Sequence, residues 1–204
     1  EIPLRLVGSE MCIRDRMVIC DKRHRYMDRC QDDEVCVCEM SQANVEQISR
    51  IIEIAGSDPA GWRKTTLEER HKIMYEAANR LGEMRGDLIG CMCAITGKTV
   101  VEGDVEVSEG IDYARFYTTS MKLFADLPDV DITPEGTVLV ISPWNFPCAI
   151  PIGGIVAALA GGNTVILKPA TVAAPVAWLF AQAFWDAGVP KEALQVIITD
   201  RDAL

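Results

Sequence analysis

Two short apolar runs, 137–141 (Thr-Val-Leu-Val-Ile) and 164–168 (Thr-Val-Ile-Leu-Lys), bracket a stretch of small residues. No other feature constrains the fold as much. Each run has the length of a strand and is rich in β-branched residues. Each also lacks the alternation of a half-exposed strand, so each is expected to be a parallel strand buried on both faces. Between them, residues 155–160 read as a helix stopped by Gly161 and Gly162. A second helix over 174–187, closed by Gly188 and followed by Pro190, leads to a third run at 195–199. This βαβαβ order implies right-handed crossovers and a parallel sheet. The fold class is therefore α/β, with N-terminal helices followed by the first half of a Rossmann-like sheet. Such sheets bind ligands beyond the carboxyl ends of their strands, which is where Asn145 and Lys168 fall. The third run, 195–199, is expected to present an unpaired edge and an uncovered apolar face.

The part upstream reads as helical. A helix begins near Ser41 or Asn44 with Val45, Ile48, Ile51, Ile52 and Ala55 on one face, and Gly56 closes it. Thr66 and Glu69 match a capping box, in which each satisfies the other's free backbone donor. The helix they open turns Leu67, Ile73, Met74, Ala77 and Leu81 inward. A third helix over 87–96 stops at Gly97, and a long fourth covers about 99–124. Residues 127–134 form an extended linker, 35–38 a short edge strand, and 17–30 show no clear pattern. The domain reading is 1–16 artefact, 17–135 a helical part, and 136–204 the Rossmann-like parallel sheet. The first segment lacks a strand or helix period, and it lacks the apolar core of a signal peptide. Residues 6–16 resemble translated sequencing-adapter text, so both ends of the chain are expected to be accidents of assembly.

Charge and cysteine usage exclude several functions. Thirty acids against twenty bases give a net charge of −10, which disfavours binding to a nucleic-acid backbone. The acids cluster at 32–34 and again through Glu102, Asp104, Glu106, Glu109 and Asp112, where they read as the solvated face of the long helix. The longest apolar candidate for a membrane span, 148–159, is too short and is broken by Pro151, Gly153 and Gly154. There are eight cysteines but no C-x-x-C spacing, and the two histidines, His24 and His71, are not spaced as ligands. No metal site is expected. The cysteines read as reduced, mostly buried small hydrophobes of a cytoplasmic protein.

Several residues invite a chemical reading. Asn145 lies in a turn stiffened by Pro143 and Pro147, where its amide could donate to a developing oxyanion or could satisfy local backbone groups. Lys168 ends a buried strand and could meet a ribose or phosphate, or could snorkel to solvent. Gly97, Lys98 and Thr99 suggest a P-loop, but Met92 stands where its first glycine is required and a helix precedes it, so a helix C-cap is the better reading. The chain contains no G-x-G-x-x-G. Gly153 and Gly154 read as a close-packing site in the helix. Cys148 has no evident base or positive environment to form a thiolate, so it reads as packing.

Ser142, Pro143, Trp144, Asn145, Phe146 and Pro147, followed by Gly-Asn-Thr-Val-Ile-Leu-Lys-Pro over 162–169, resemble the two-part signature of aldehyde dehydrogenases. The resemblance extends from about Val35 to the end through Trp62-Arg63, Glu69-Arg70, Ala77-Ala78 and Thr96-Gly97-Lys98. It implies that Asn145 is the oxyanion-stabilising asparagine. It implies that Ile141, Ser142, Pro143 and Trp144 form the wall along which the dinucleotide lies, and that Lys168 holds the adenosine ribose. The third residue beyond that lysine is often a glutamate that favours NAD. Here it is Thr171, which leaves room for a 2′-phosphate, so NAD is the cofactor read, with NADP open.

Residues 102–116 and 184–192 look most like the branch that oxidises L-glutamate γ-semialdehyde to glutamate in proline catabolism. In its bifunctional members that domain follows a flavin-dependent proline dehydrogenase. The implied partners are an aldehyde substrate, a fused or neighbouring proline dehydrogenase and further copies of the chain, with no nucleic acid and no membrane span. The family's cysteine nucleophile and glutamate base lie further along, so the 204 residues alone are expected to oxidise no aldehyde. The alternatives are another semialdehyde or betaine-aldehyde dehydrogenase, or a non-catalytic nucleotide-binding module.

Overall fold

The computed structural model describes residues 11–13, 16–18, 22–31 and 35–199. Most of the adapter-like segment and the acids at 32–34 lie outside these residues. Within them, β1 (Met11–Ile13) pairs antiparallel with β2 (Arg16–Val18), where no strand period was read. The edge strand expected at 35–38 is β4 (Cys36–Ser41), and its partner β3 (Arg23–Met27) emerges from the stretch that showed no pattern. β3 is hard to read because three basic residues, Arg23, His24 and Arg25, precede Tyr26, its only buried side chain. The pairing is strengthened across the strands, where Arg23 and Arg25 both reach Glu39.

Four helices follow. Asn44 caps α1 (Val45–Ser57) and forms a capping box with Gln47. The helix runs past Gly56 and closes at Asp58, whose φ of 46° is left-handed. The Asp58 carboxylate then accepts the backbone N–H groups of Trp62 and Arg63, both at 2.9 Å. The buried face of α1 is Ile51, Ile54 and Ala55, whereas Val45 and Ile52 are exposed, contrary to the expected stripe. The helix packs on β6 and β7 through Ile51, Ile54 and Ala55, and that contact, not the full apolar stripe, decides which side chains are buried. The Thr66–Glu69 capping box opens α2 (Leu67–Glu83). Then come α3 (Arg85–Thr96), stopped by left-handed Gly97, and α4 (Val100–Ala125), which carries its own Thr99–Glu102 capping box.

The parallel sheet has the order β5 (Thr137–Ile141), β6 (Thr164–Lys168), β7 (Leu194–Val196), with α5 (Ala149–Ala160) and α6 (Ala174–Asp186) as its crossovers. Helix α1 covers one face, where Ile51, Ile54 and Ala55 meet Ile166 and Ile197. The opposite face joins α5, α6 and the α2–α4 layer in the main core. The central strand β6 is buried on both faces as expected, with Val165 and Leu167 in one core and Ile166 in the other.

Two expectations for the outer strands reverse. The third strand does not show an uncovered face: Leu194, Val196, Ile197 and Ile198 are all buried. Its continuation is tied to the start of α1 by the Ala43 N–H donating to the Ile198 carbonyl at 2.7 Å. The open face belongs instead to β5, where Leu139 is 56% and Ile141 66% exposed. Leu139 is in register with Ile166 and shares its face, but α1 packs on β6 and β7 and leaves β5 bare.

Helix α5 is pressed tightly between neighbours, as its glycine pair predicts. A Cβ on Gly153 would lie 3.1 Å from the Tyr113 ring, and one on Gly154 would lie 3.0 Å from a Val140 methyl. Side chains from the helical layer hold its carboxyl end. Buried Trp62 donates its indole N–H to the Leu159 carbonyl at 3.2 Å. Arg70 donates Nε–H to Ala160 at 3.0 Å and Nη1–H to Thr65 at 2.5 Å. The bond to Ala160 satisfies a carbonyl that a helix end leaves without a partner, and Leu159 also accepts the Gly162 N–H at 3.0 Å.

Candidate active site

The carboxyl ends of β5 and β6 lie side by side, with Ile141 in direct register with Lys168. The chain leaves β5 through buried Ser142, turns through exposed Pro143, Trp144, Asn145 and Phe146, and re-enters the core at Pro147 and Cys148 to begin α5. Asn145 is thus carried on a turn whose side chains face solvent and whose flanks are anchored. Ile141 and Trp144 flank it, both exposed. Half-buried Lys168 stands one strand away at the same sheet edge, three residues before the short 3-10 turn that begins at Thr171. Thr171 lines a cleft of about 430 Å³ with His24, Arg25, Tyr26, Arg29 and Ile95. The structure therefore brings Asn145, Ile141, Ser142, Pro143, Trp144 and Lys168 to one end of the sheet, with Thr171 just beyond.

The support beneath the turn was not legible as such. Glu106, read as part of a solvated acidic face, is 1% exposed. One of its carboxylate oxygens accepts the backbone N–H groups of Cys148 and Ala149 at 3.0 and 3.1 Å. The other pairs with the Lys98 ammonium. Lys98 in turn donates to the Asn145 carbonyl at 2.7 Å and sits 4.5 Å from the centroid of the Phe146 ring. Helix α5 has no side-chain cap of its own, and Glu106 supplies one from a neighbouring helix. A carboxylate at a helix amino end is favoured by the unpaired N–H groups and the helix dipole. The available signal was spacing: Gly103, Glu106, Val107, Gly110, Ile111 and Ala114 fall on one buried stripe of α4. An acid on an apolar stripe must have a partner.

Among the described residues, the buried thiols carry no sign of nucleophilic activation. Burial, followed by the nearby Glu106 charge, pushes the Cys148 thiol far above its ordinary range. Burial does the same to Cys91, and it raises Cys38 to about 12. All three stay protonated at neutral pH, as the packing reading of Cys148 requires. The six cysteines whose side chains are described are free thiols. No group of His, Cys, Asp and Glu among the described residues is arranged to hold a metal ion. No described helix is long and apolar enough to cross a membrane.

The model of the aldehyde dehydrogenase family matches residues 20–204. The chain is 34% identical over 202 residues to a 1-pyrroline-5-carboxylate dehydrogenase of Geobacillus sp. (strain WCH70), covering 94% of this chain and 38% of that protein. Among solved structures, proline utilization A from Bdellovibrio bacteriovorus superposes with a TM-score of 0.88 at 25% identity, over 95% of this chain and 21% of that one. A 1-pyrroline-5-carboxylate dehydrogenase from Thermus with bound NAD gives a TM-score of 0.87 at 26% identity, over 95% of this chain and 40% of its own. The chain spans about two fifths of the length of the curated relatives it matches.

Proposed function

Because this chain belongs to the aldehyde dehydrogenase family, we propose that it forms the first part of the cofactor domain of an NAD(P)-dependent enzyme that oxidises an aldehyde to a carboxylate. The substrate we assign is L-glutamate γ-semialdehyde, giving glutamate in proline catabolism. The 1-pyrroline-5-carboxylate dehydrogenases among its relatives support that choice. The likeness to proline utilization A supports a proline dehydrogenase, fused or neighbouring, as the source of the substrate. Free thiols in the core fit a cytoplasmic location. The bare apolar face of β5 fits assembly with further protein.

The observation that carries the reading is the turn at the end of β5, presenting Asn145 beside the register-matched Ile141 and Lys168. An open carboxyl edge of a parallel sheet with a half-buried lysine at its rim fits a dinucleotide. Bound there, the dinucleotide would supply the hydride acceptor. Ile141, Ser142, Pro143 and Trp144 would form the wall along which it lies, and Lys168 would hold its adenosine ribose. Thr171 brings no carboxylate, and His24, Arg25 and Arg29 line the cleft it shares. That combination tolerates a 2′-phosphate, so the cofactor is assigned as NAD or NADP. A thiolate from outside the described residues would attack the aldehyde. Asn145 would donate its amide N–H to the oxygen on which negative charge develops.

The test is Asn145→Ala in the full-length protein bearing this chain. Loss of one oxyanion donor lowers kcat by roughly 10²–10³, and the KM for dinucleotide should change little. Turnover close to that of the parent would remove Asn145 from the chemistry. Lys168→Ala should do the opposite, raising the KM for dinucleotide with the smaller effect on kcat, because a contact remote from the reacting atoms contributes uniform binding.

A further inference from the structure

We infer that Lys98 and Glu106 are positioning residues for Asn145. The inference rests on the function proposed above and concerns how this chain holds that asparagine in place. Four residues, Asn145, Phe146, Cys148 and Ala149, are tied to this one buried pair. Asn145 and Phe146 meet the Lys98 ammonium, the first through its carbonyl and the second through its ring face. Cys148 and Ala149 meet Glu106 through their N–H groups. The turn is thus gripped from beneath on both sides of Pro147, while the side chains of Trp144 and Asn145 remain exposed.

Stability alone gives weak grounds for such a pair. The side chains of Lys98 and Glu106 are only 12% and 1% exposed, and taking two charges out of water costs about as much as their attraction returns. An apolar pair of similar volume would hold α4 against α5 as well. It could not hold the Asn145 carbonyl and two α5 N–H groups at defined positions. Directional bonds to backbone fix an orientation, and orientation is what an oxyanion donor requires.

The placement of the pair supports the same role. Left-handed Gly97 ends α3, and Thr99 opens α4 one residue after Lys98. The lysine is therefore the single residue between the left-handed stop of α3 and the cap of α4. Glu106 stands two turns down α4, on the stripe whose glycine, Gly110, packs on Ile152 of α5. Glu106 is set by the packing of α4 on α5, and it fixes Lys98 through their ion pair, so the turn is held to that interface.

The experiment is a double-mutant cycle in the full-length protein. Lys98→Met and Glu106→Gln are each made in the parent and in an Asn145→Ala background. Glu106→Gln keeps an oxygen for the Cys148 and Ala149 N–H groups while removing the charge that holds Lys98, so it serves if Lys98→Met does not fold. In the parent, each change should lower kcat by roughly 10- to 100-fold, the scale of a ~1 Å misplacement, with the KM for dinucleotide within about twofold. In the Asn145→Ala background each should cost less than about twofold, because the group they position is gone. Equal losses in both backgrounds would overturn the inference and leave the role of Asn145 standing. Normal turnover of Asn145→Ala alone would overturn the proposed function, and this inference with it.

Discussion

At its carboxyl end α5 is gripped by Trp62 and Arg70 inside the core, whereas at its amino end it is gripped by Glu106 beneath a turn whose side chains stand in solvent. Both grips use donors or acceptors from the helical layer to complete a helix terminus. They differ in what they leave free. Around the carboxyl end Trp62 is 1% and Arg70 8% exposed, and no side chain is offered to a ligand. Around the amino end backbone groups and one face of the Phe146 ring are held, while Trp144 and Asn145 stay exposed. One helix can thus be fastened for stability at one end and made available for chemistry at the other. The contrast holds only if substitutions at the two ends separate stability from turnover.

The largest effect on stability is expected at Trp62. Trp62→Ala removes a fully buried ring and the bond to Leu159, and should cost about 3–5 kcal/mol. Urea unfolding followed by circular dichroism measures this, and a shift below about 1 kcal/mol would break the contrast. Arg70→Met comes next. It keeps much of the buried stem but strands the Ala160 and Thr65 carbonyls, and should cost about 2–3 kcal/mol. A Tm matching that of the parent would show that the carboxyl end is held by packing alone. The smallest effect is expected at the other end of the sheet. Ile141→Ser replaces an exposed side chain and should leave stability within about 0.5 kcal/mol. Its effect should instead be on the KM for dinucleotide, since Ile141 borders the proposed cofactor wall. A large loss of stability here would mean that the β5 face is covered after all.

These differences explain which features could be read in advance. The Thr66–Glu69 capping box, the stop at Gly97 and the close packing of Gly153 and Gly154 were all legible. Each depends on groups a few residues apart, or on one residue type with one outstanding property. The Asn145 turn and Lys168 were legible for a similar reason: both follow directly from where strands end. The buried state of Glu106 was not. Its partners are Lys98, eight residues back, and the N–H groups of Cys148 and Ala149, more than forty residues on. Counted among Glu102, Asp104, Glu109 and Asp112, it looks like one more surface acid.

From α1 onward, the order of strands and helices, the parallel sheet and the position of the candidate site at its carboxyl edge were therefore determined by the sequence alone. Apolar run length, turn residues and caps are local, and local signals survive without a folded neighbour. Which sheet face is covered was decided only by tertiary structure. The run 137–141 looks as buried as 164–168, yet Leu139 and Ile141 are exposed and Ile166 is not. The reason is geometric. Burial depends on how far α1 reaches across the sheet, and that is set by where Ile51, Ile54 and Ala55 seat on β6 and β7, not by anything within β5.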